Sequence, residues 1–181
     1  IHPDYWRFYL AYLIPENKDT SFLWEEFLQI INKVLADNIG NLTHRVLKFA
    51  WNNYKRLDGE VDKGVIKLAK EYYDSICNLL EKGRISSALK KIIEMADRGN
   101  SIFQETKPWE KPEAMRSFIK GMLIYLIVLY SLLSFYIPYH AKDFFKILGI
   151  ERINKDLIDS ILSEPEKYDF EIKEDPKPLF K

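Results

Sequence analysis

The stretch GMLIYLIVLYSLLSFYIPY, residues 121–139, decides what kind of molecule this is. Its 19 residues carry no charge, which reaches the lower end of the roughly 17–25 residues that span a bilayer as a helix. The central helix of a bundle gives the same signal, because a helix that is apolar all round is also one that is buried all round. Tyr125, Tyr130 and Tyr136 place hydroxyls along the run, Ser131 and Ser134 add more, and charged residues make up 30% of the chain. We therefore read the run as the buried helix of an all-α bundle that has no membrane partner.

Working outward, Pro112 to Ile137 forms one helix, with Pro138 as its break. On its N-terminal side, Leu89, Ile92-Ile93, Met95-Ala96 and Ile102-Phe103 keep a helical period from a cap at Ser86 or Ser87 to a stop before Pro108. Asp62 opens a helix carrying Val65, Leu68, Tyr72, Ile76 and Leu79-Leu80, which Gly83 closes. A longer helix, roughly 50 Å at 1.5 Å per residue, is expected from Ser21 to Asp58-Gly59. Pro3 starts a short aromatic helix that ends before Pro15, and the stretch from Asn17 to Ser21 is polar. Beyond Ala141-Lys142-Asp143-Phe144-Phe145, a short amphipathic piece, the composition shifts. Glu164-Pro165-Glu166 and Glu174-Asp175-Pro176-Lys177-Pro178 read as an extended, poorly packed tail. The fold class is all-α, a bundle of about five main helices with no period-two strand, no repeat and no glycine-rich phosphate loop.

Composition excludes several functions. Lys plus Arg and Asp plus Glu both number 27, so no global positive field announces nucleic acid, and any such binding must come from a local patch. Cys77 is the lone cysteine, without a partner for a disulfide or for zinc-ligand spacing, and reads as a small buried hydrophobe. His2, His44 and His140 are scattered and belong to no recognised catalytic motif, so no catalytic residue and no metal ligand is assigned. The chain opens Ile1-His2-Pro3 without an initiator methionine or signal peptide, and we expect a piece of a longer protein.

A local patch is present in Ala36-Asp37-Asn38-Ile39-Gly40-Asn41-Leu42-Thr43-His44-Arg45. A helix stacks Asn41 and Arg45 on one face, while Leu35, Ile39, Leu42, Val46 and Phe49 point to the core. An amide beside a five-donor guanidinium can engage the edges of unpaired bases. Asn38, Lys48 and Asn52 extend the stripe without a carboxylate on it. Gly40, costly inside a helix by about 1 kcal/mol relative to alanine, marks a close approach by another helix or a ligand.

Several phrases in order resemble the anticodon-binding region of the methionyl-tRNA synthetases, a family of class I aminoacyl-tRNA synthetases. Pro3-Asp4-Tyr5-Trp6-Arg7-Phe8-Tyr9-Leu10 is similar to the helix that follows the family's Lys-Met-Ser-Lys-Ser loop. Asp19-Thr20-Ser21-Phe22-Leu23-Trp24-Glu25-Glu26-Phe27 resembles the start of its helical domain, and Asp37 to Leu42 with Arg45 is the most specific phrase. Ala88-Leu89-Lys90-Lys91-Ile92, Asn100 and Lys107-Pro108-Trp109 resemble the helix and loop that complete the anticodon pocket, and Pro176 to Phe180 the terminal phrase.

The resemblance implies that Asn41, Arg45 and Trp109 recognise the CAU anticodon of methionine tRNA, with Asn38, Lys48, Asn52 and Pro108 as further candidate RNA contacts. Single-stranded bases are held by stacking on an aromatic face and read at their edges, which suits that set. It also implies that residues 1–20 end the segment linking a catalytic domain to the bundle, that 21–155 are the bundle, and that 156–181 are the tail. The catalytic motifs and zinc knuckle of the family are not in these residues. This piece is therefore expected to be inactive alone and to hold no cofactor. The parent would be a cytoplasmic ligase of protein biosynthesis that joins methionine to its tRNA, with ATP and zinc bound by its other parts. The implied partners are methionine tRNA and the catalytic domain of the same protein. Two alternatives stay open: the equivalent domain of another class I synthetase, and a helical scaffold for protein partners.

Overall fold

A computed structural model of the chain describes residues 1–16 and 19–181; Asn17 and Lys18, part of the stretch read as polar, lie outside the described residues. In chain order the elements are α1 (Pro3–Leu13), α2 (Trp24–Ile30), a π-helical stretch (Ile31–Gly40), α3 (Asn41–Asn53), β1 (Arg56–Leu57), α4 (Lys63–Glu81), α5 (Ile85–Thr106), α6 (Arg116–Leu133), α7 (Pro138–Ile147), α8 (Lys155–Ser163) and β2 (Phe170–Glu171). The architecture is all-α, with one two-residue antiparallel ladder pairing Arg56 with Glu171 and Leu57 with Phe170.

α6 is the axis. By length and composition it could cross a bilayer, yet every residue from Phe118 to Leu133 is buried, covered by α3, α4, α5, α7 and α8. Its polar atoms are satisfied inside the protein. The Tyr125 hydroxyl donates to the Met95 carbonyl at 2.5 Å, and the Tyr130 hydroxyl lies 2.8 Å from the Thr43 hydroxyl. Burial pushes both phenols well above their ordinary pKa, so both remain hydroxyls. Lys120, also buried, donates from Nζ to the Gly59 carbonyl at 2.7 Å and ties the α3–α4 connection to the core.

Several boundaries follow the local signals. The Asp62 carboxylate accepts from the Val65 N–H at 3.1 Å to cap α4, and Gly83, with φ 69°, ends it. α5 stops before Pro108, as expected, with Lys107 at φ 48°.

Others were set from a distance. The expected cap at Ser86 or Ser87 is instead the carboxylate of Glu16, which accepts from the N–H groups of both serines and from the Arg84 guanidinium. Burial alone would raise the Glu16 pKa, but the hydrogen bonds from Ser87, Arg84 and Ser86 outweigh it and hold the carboxyl below its ordinary value. The long helix starts at Trp24 rather than Ser21, behind Leu23, and ends at Asn53 rather than at Gly59. There the chain turns at Lys55, φ 59°, whose N–H reaches the Ala50 carbonyl at 2.8 Å. Ile172 N–H then takes the Lys55 carbonyl, so the C-terminal segment completes the turn. The helix expected from Pro112 to Ile137 is shorter: Pro112 opens a separate 3₁₀ turn, α6 ends at Leu133, and Pro138 begins α7.

The tail is extended but not poorly packed. α8 lies on α6 and α4, and Phe170, Ile172 and Phe180 are buried, Phe170 in the pairing of β2 with β1 and the Phe180 ring against Gly40 and His140.

Candidate nucleic-acid interface

The i→i−4 ladder of α3 takes over at Asn41, whose own N–H still reaches the Ala36 carbonyl five residues back. A π-helical run of this length is uncommon, and π segments recur at functional sites. Because Asn41 and Arg45 both belong to the regular α3, they share a face as the spacing required. Leu42, Val46 and Leu47 hold the opposite face in the core.

Asn41 is exposed and Arg45 half-buried. Arg45 donates to Gln104 Oε1 at 2.9 Å, and its guanidinium carbon sits 4.7 Å from the centre of the Phe103 ring. Burial lowers its pKa, but a guanidinium keeps its charge. Trp109, 45% exposed, rests on the same ring, with centroids 6.1 Å apart. Pro108 is buried and starts the 3₁₀ turn that presents the indole. Phe103 thus meets both the guanidinium and the indole, bringing Arg45 and Trp109 to one ring across 64 positions of sequence.

Between α5 and the long helix runs an open groove of about 550 Å³, lined by Asn38, Asn41 and Arg45 on one side and by Asn100 and Gln104 on the other. Asn100 donates to the Asn38 carbonyl and to its side-chain oxygen at 3.1 and 2.9 Å, which pins the π-helical backbone beside Asn41. Phe103 and Gln104 were assigned no binding role from sequence and Asn100 entered only through the resemblance, although the spacing of Asp97, Asn100, Ser101 and Gln104 already marks one face of α5.

The stripe does not keep its freedom from carboxylates. Asp37, Asp97 and Glu105 also line the groove, two of them brought by α5, a neighbour that the stripe's own spacing does not reveal. Lys48 is engaged by Asp175 of the C-terminal segment, and Asn52 is exposed; neither lines the groove. The close approach at Gly40 is made neither by another helix nor by a ligand but by the Phe180 side chain of the C-terminal segment: a Cβ at that glycine would lie 2.9 Å from the ring and 3.0 Å from the Leu35 carbonyl oxygen. His44, half-buried, faces the recess made with Pro178, Leu179 and Phe180.

Two of the histidines, His2 and His140, do form a cluster with Asp4. Asp4, fully buried, accepts at Oδ2 from the His140 N–H at 2.9 Å and meets His140 Nδ1 at 2.7 Å, while His2 Nδ1 accepts from the Asp4 N–H. These three residues offer ligand atoms within 4.8 Å of one another, but the contacts are those of two helix caps joining α1 to α7.

Residues 1–47 match the family model of "tRNA synthetases class I (M)". The chain is 33% identical to the methionine–tRNA ligase of Nanoarchaeum equitans over 92% of its length, and 37% identical to that of Korarchaeum cryptofilum over 82%. With that of Ignicoccus hospitalis it shares 35% identity over 99% of its length. The chain belongs to the methionyl-tRNA synthetase family. It spans 25%, 28% and 33% of the length of those three relatives. The fold agrees: the apo methionyl-tRNA synthetase of Mycobacterium tuberculosis superposes with a TM-score of 0.82 over 98% of this chain and 38% of that one, at 20% identity.

Proposed function

We propose that this segment is the anticodon-binding domain of a methionine–tRNA ligase, holding the anticodon stem and loop of methionine tRNA and recognising CAU. The observation that carries the reading is the convergence of Arg45 and Trp109 on Phe103, at the end of a groove lined with amides. In this role the open face of Trp109 stacks an unpaired base, while Asn41 and Arg45 present hydrogen-bonding groups to base edges. Pro108 sets the approach of the indole, and Asn38 orders the helix backbone through Asn100. With zero net charge and carboxylates on the groove's rim, phosphate attraction contributes little, so selectivity rests on the bases.

The parent's reaction, ATP-dependent attachment of methionine to its tRNA in the cytoplasm, belongs on this reading to a catalytic domain outside these residues. ATP and zinc would be bound there. This domain's contribution is the choice of tRNA. Filter binding with methionine, isoleucine and valine tRNAs tests the proposal: methionine tRNA is expected to bind more tightly than either. Equal retention of all three would overturn it.

A further inference from the structure

The two caps that join α1 to α7 leave one oxygen over. Asp4 carries the only carboxylate fully buried among the described residues, and its Oδ2 takes both the backbone N–H and the Nδ1 of His140. Oδ1 is sealed from solvent and meets no donor among the described residues. An ionised oxygen left idle in this way is costly, because burial removes its hydration without returning a partner. His2, two positions before Asp4, holds its ring 4.5 Å from that of His140, centre to centre, and each of the three residues brings a ligand atom within 4.8 Å of the others. Neighbouring rings fix the arrangement. His140 lies between Tyr5 at 5.3 Å and Phe180 at 4.9 Å, inclined by 23° to each, so little rotational freedom remains to be lost when its nitrogen is used.

We propose that His2, Asp4 and His140 bind a divalent transition-metal ion, which staples the start of α1 to α7. Two imidazoles and a carboxylate are the donor set that zinc, cobalt(II) and nickel(II) accept, whereas magnesium and calcium take oxygen ligands. Around a tetrahedral ion with bonds of about 2.0–2.1 Å the ligand atoms stand about 3.3 Å apart, so the widest of the present separations has to close by about 1.5 Å. His2 is the residue that moves. It is exposed, and its bond from the Asp4 N–H lies at a helix start, where water can replace it. Between His140 and Asp4 the ion takes the place of a proton: an ionised carboxylate only accepts, so Nδ1 carries the hydrogen of their 2.7 Å contact and releases it to solvent on binding. None of the three residues lines the amide groove, so the proposal stands apart from the anticodon reading.

Cobalt(II) titration of the chelator-treated chain tests this, with the amino terminus acetylated so that the Ile1 nitrogen is no ligand. One ion per chain is expected, giving visible d–d absorption without a thiolate charge-transfer band. Zinc in modest excess is expected to raise the melting temperature by several degrees, and magnesium to leave it unchanged. His2→Ala removes an exposed ligand without touching the core, and is expected to weaken cobalt binding tenfold or more; His44→Ala is expected to leave it as it was. Absence of d–d absorption, binding that survives His2→Ala, or an equal thermal shift with magnesium would overturn the proposal. Absorption lost in Cys77→Ser but kept in His2→Ala would overturn it in favour of the thiol.

Discussion

α6 and the long helix from Trp24 to Asn53 pack against each other in one core, yet they dispose of their polar groups in opposite ways. On and just beyond α6, Tyr125, Tyr130 and Tyr136 turn their hydroxyls inward to Met95, Thr43 and the Ile85 carbonyl. Burial raises Tyr136 to about 12, and the other two shift further in the same direction. The long helix buries its apolar stripe but turns Asn41 and Arg45 to a groove, with Arg45 spending one side-chain hydrogen bond on Gln104. A helix that satisfies every hydroxyl internally is scaffold; one that keeps donors beside open space is surface. Substitutions should therefore separate into those that unfold and those that only unbind.

The largest effect is expected at Leu126. Leu126→Asp places an unpaired charge where the leucine is fully buried, costing more than about 4 kcal/mol, enough to unfold the domain. A detergent-free circular-dichroism melt checks it: a cooperative transition near that of the unmodified domain would contradict the place given to α6.

Gly40 sharpens the comparison, since it belongs to the exposed helix yet is packed like the core. Gly40→Ala gains helix propensity of about 1 kcal/mol but drives a methyl against the Leu35 carbonyl and the Phe180 ring. The carbonyl is backbone and cannot swing away. A net loss of about 1–3 kcal/mol is expected in urea titrations. Phe180→Ala should relieve part of it, giving a coupling energy of about 0.5–3 kcal/mol in a double-mutant cycle; strict additivity would mean that the two residues do not meet.

A smaller effect belongs to Glu16. Its lowered carboxyl pKa stabilises the folded state above the unfolded value of about 4.3, and that stabilisation is lost as pH falls through the lower folded value. Glu16→Gln is expected to cost about 1 kcal/mol at neutral pH, with the two melting temperatures converging below about pH 4. A gap that persists in acid would assign the cap to something other than the ionised carboxylate.

What the sequence disclosed was short-range. The Asp62 cap, the Gly83 stop and the end of α5 before Pro108 depend on atoms within a few positions, and the Asn41–Arg45 face needs only one turn of helix. What it hid was long-range. Glu16 caps α5 from about seventy positions away, Lys55 turns where a glycine was expected because Ile172 binds its carbonyl, and Phe180 supplies the contact that Gly40 foretold. The same distance separates the two halves of the groove: nothing near Asn41 announces that Asp97 and Glu105 will face it, or that Phe103 will join Arg45 to Trp109.

If Trp109 is surface kept open for a base rather than core, one paired measurement on Trp109→Ala shows it. Affinity for a CAU anticodon stem-loop is expected to fall by about 1–3 kcal/mol, roughly thirtyfold at the midpoint, because stacking on the indole is lost. The melting temperature should change only modestly, and Phe at this position should keep part of the affinity. Retained preference for CAU over a scrambled loop, together with a stability loss of about 3–5 kcal/mol, would return Trp109 to the core and rule out its stacking role.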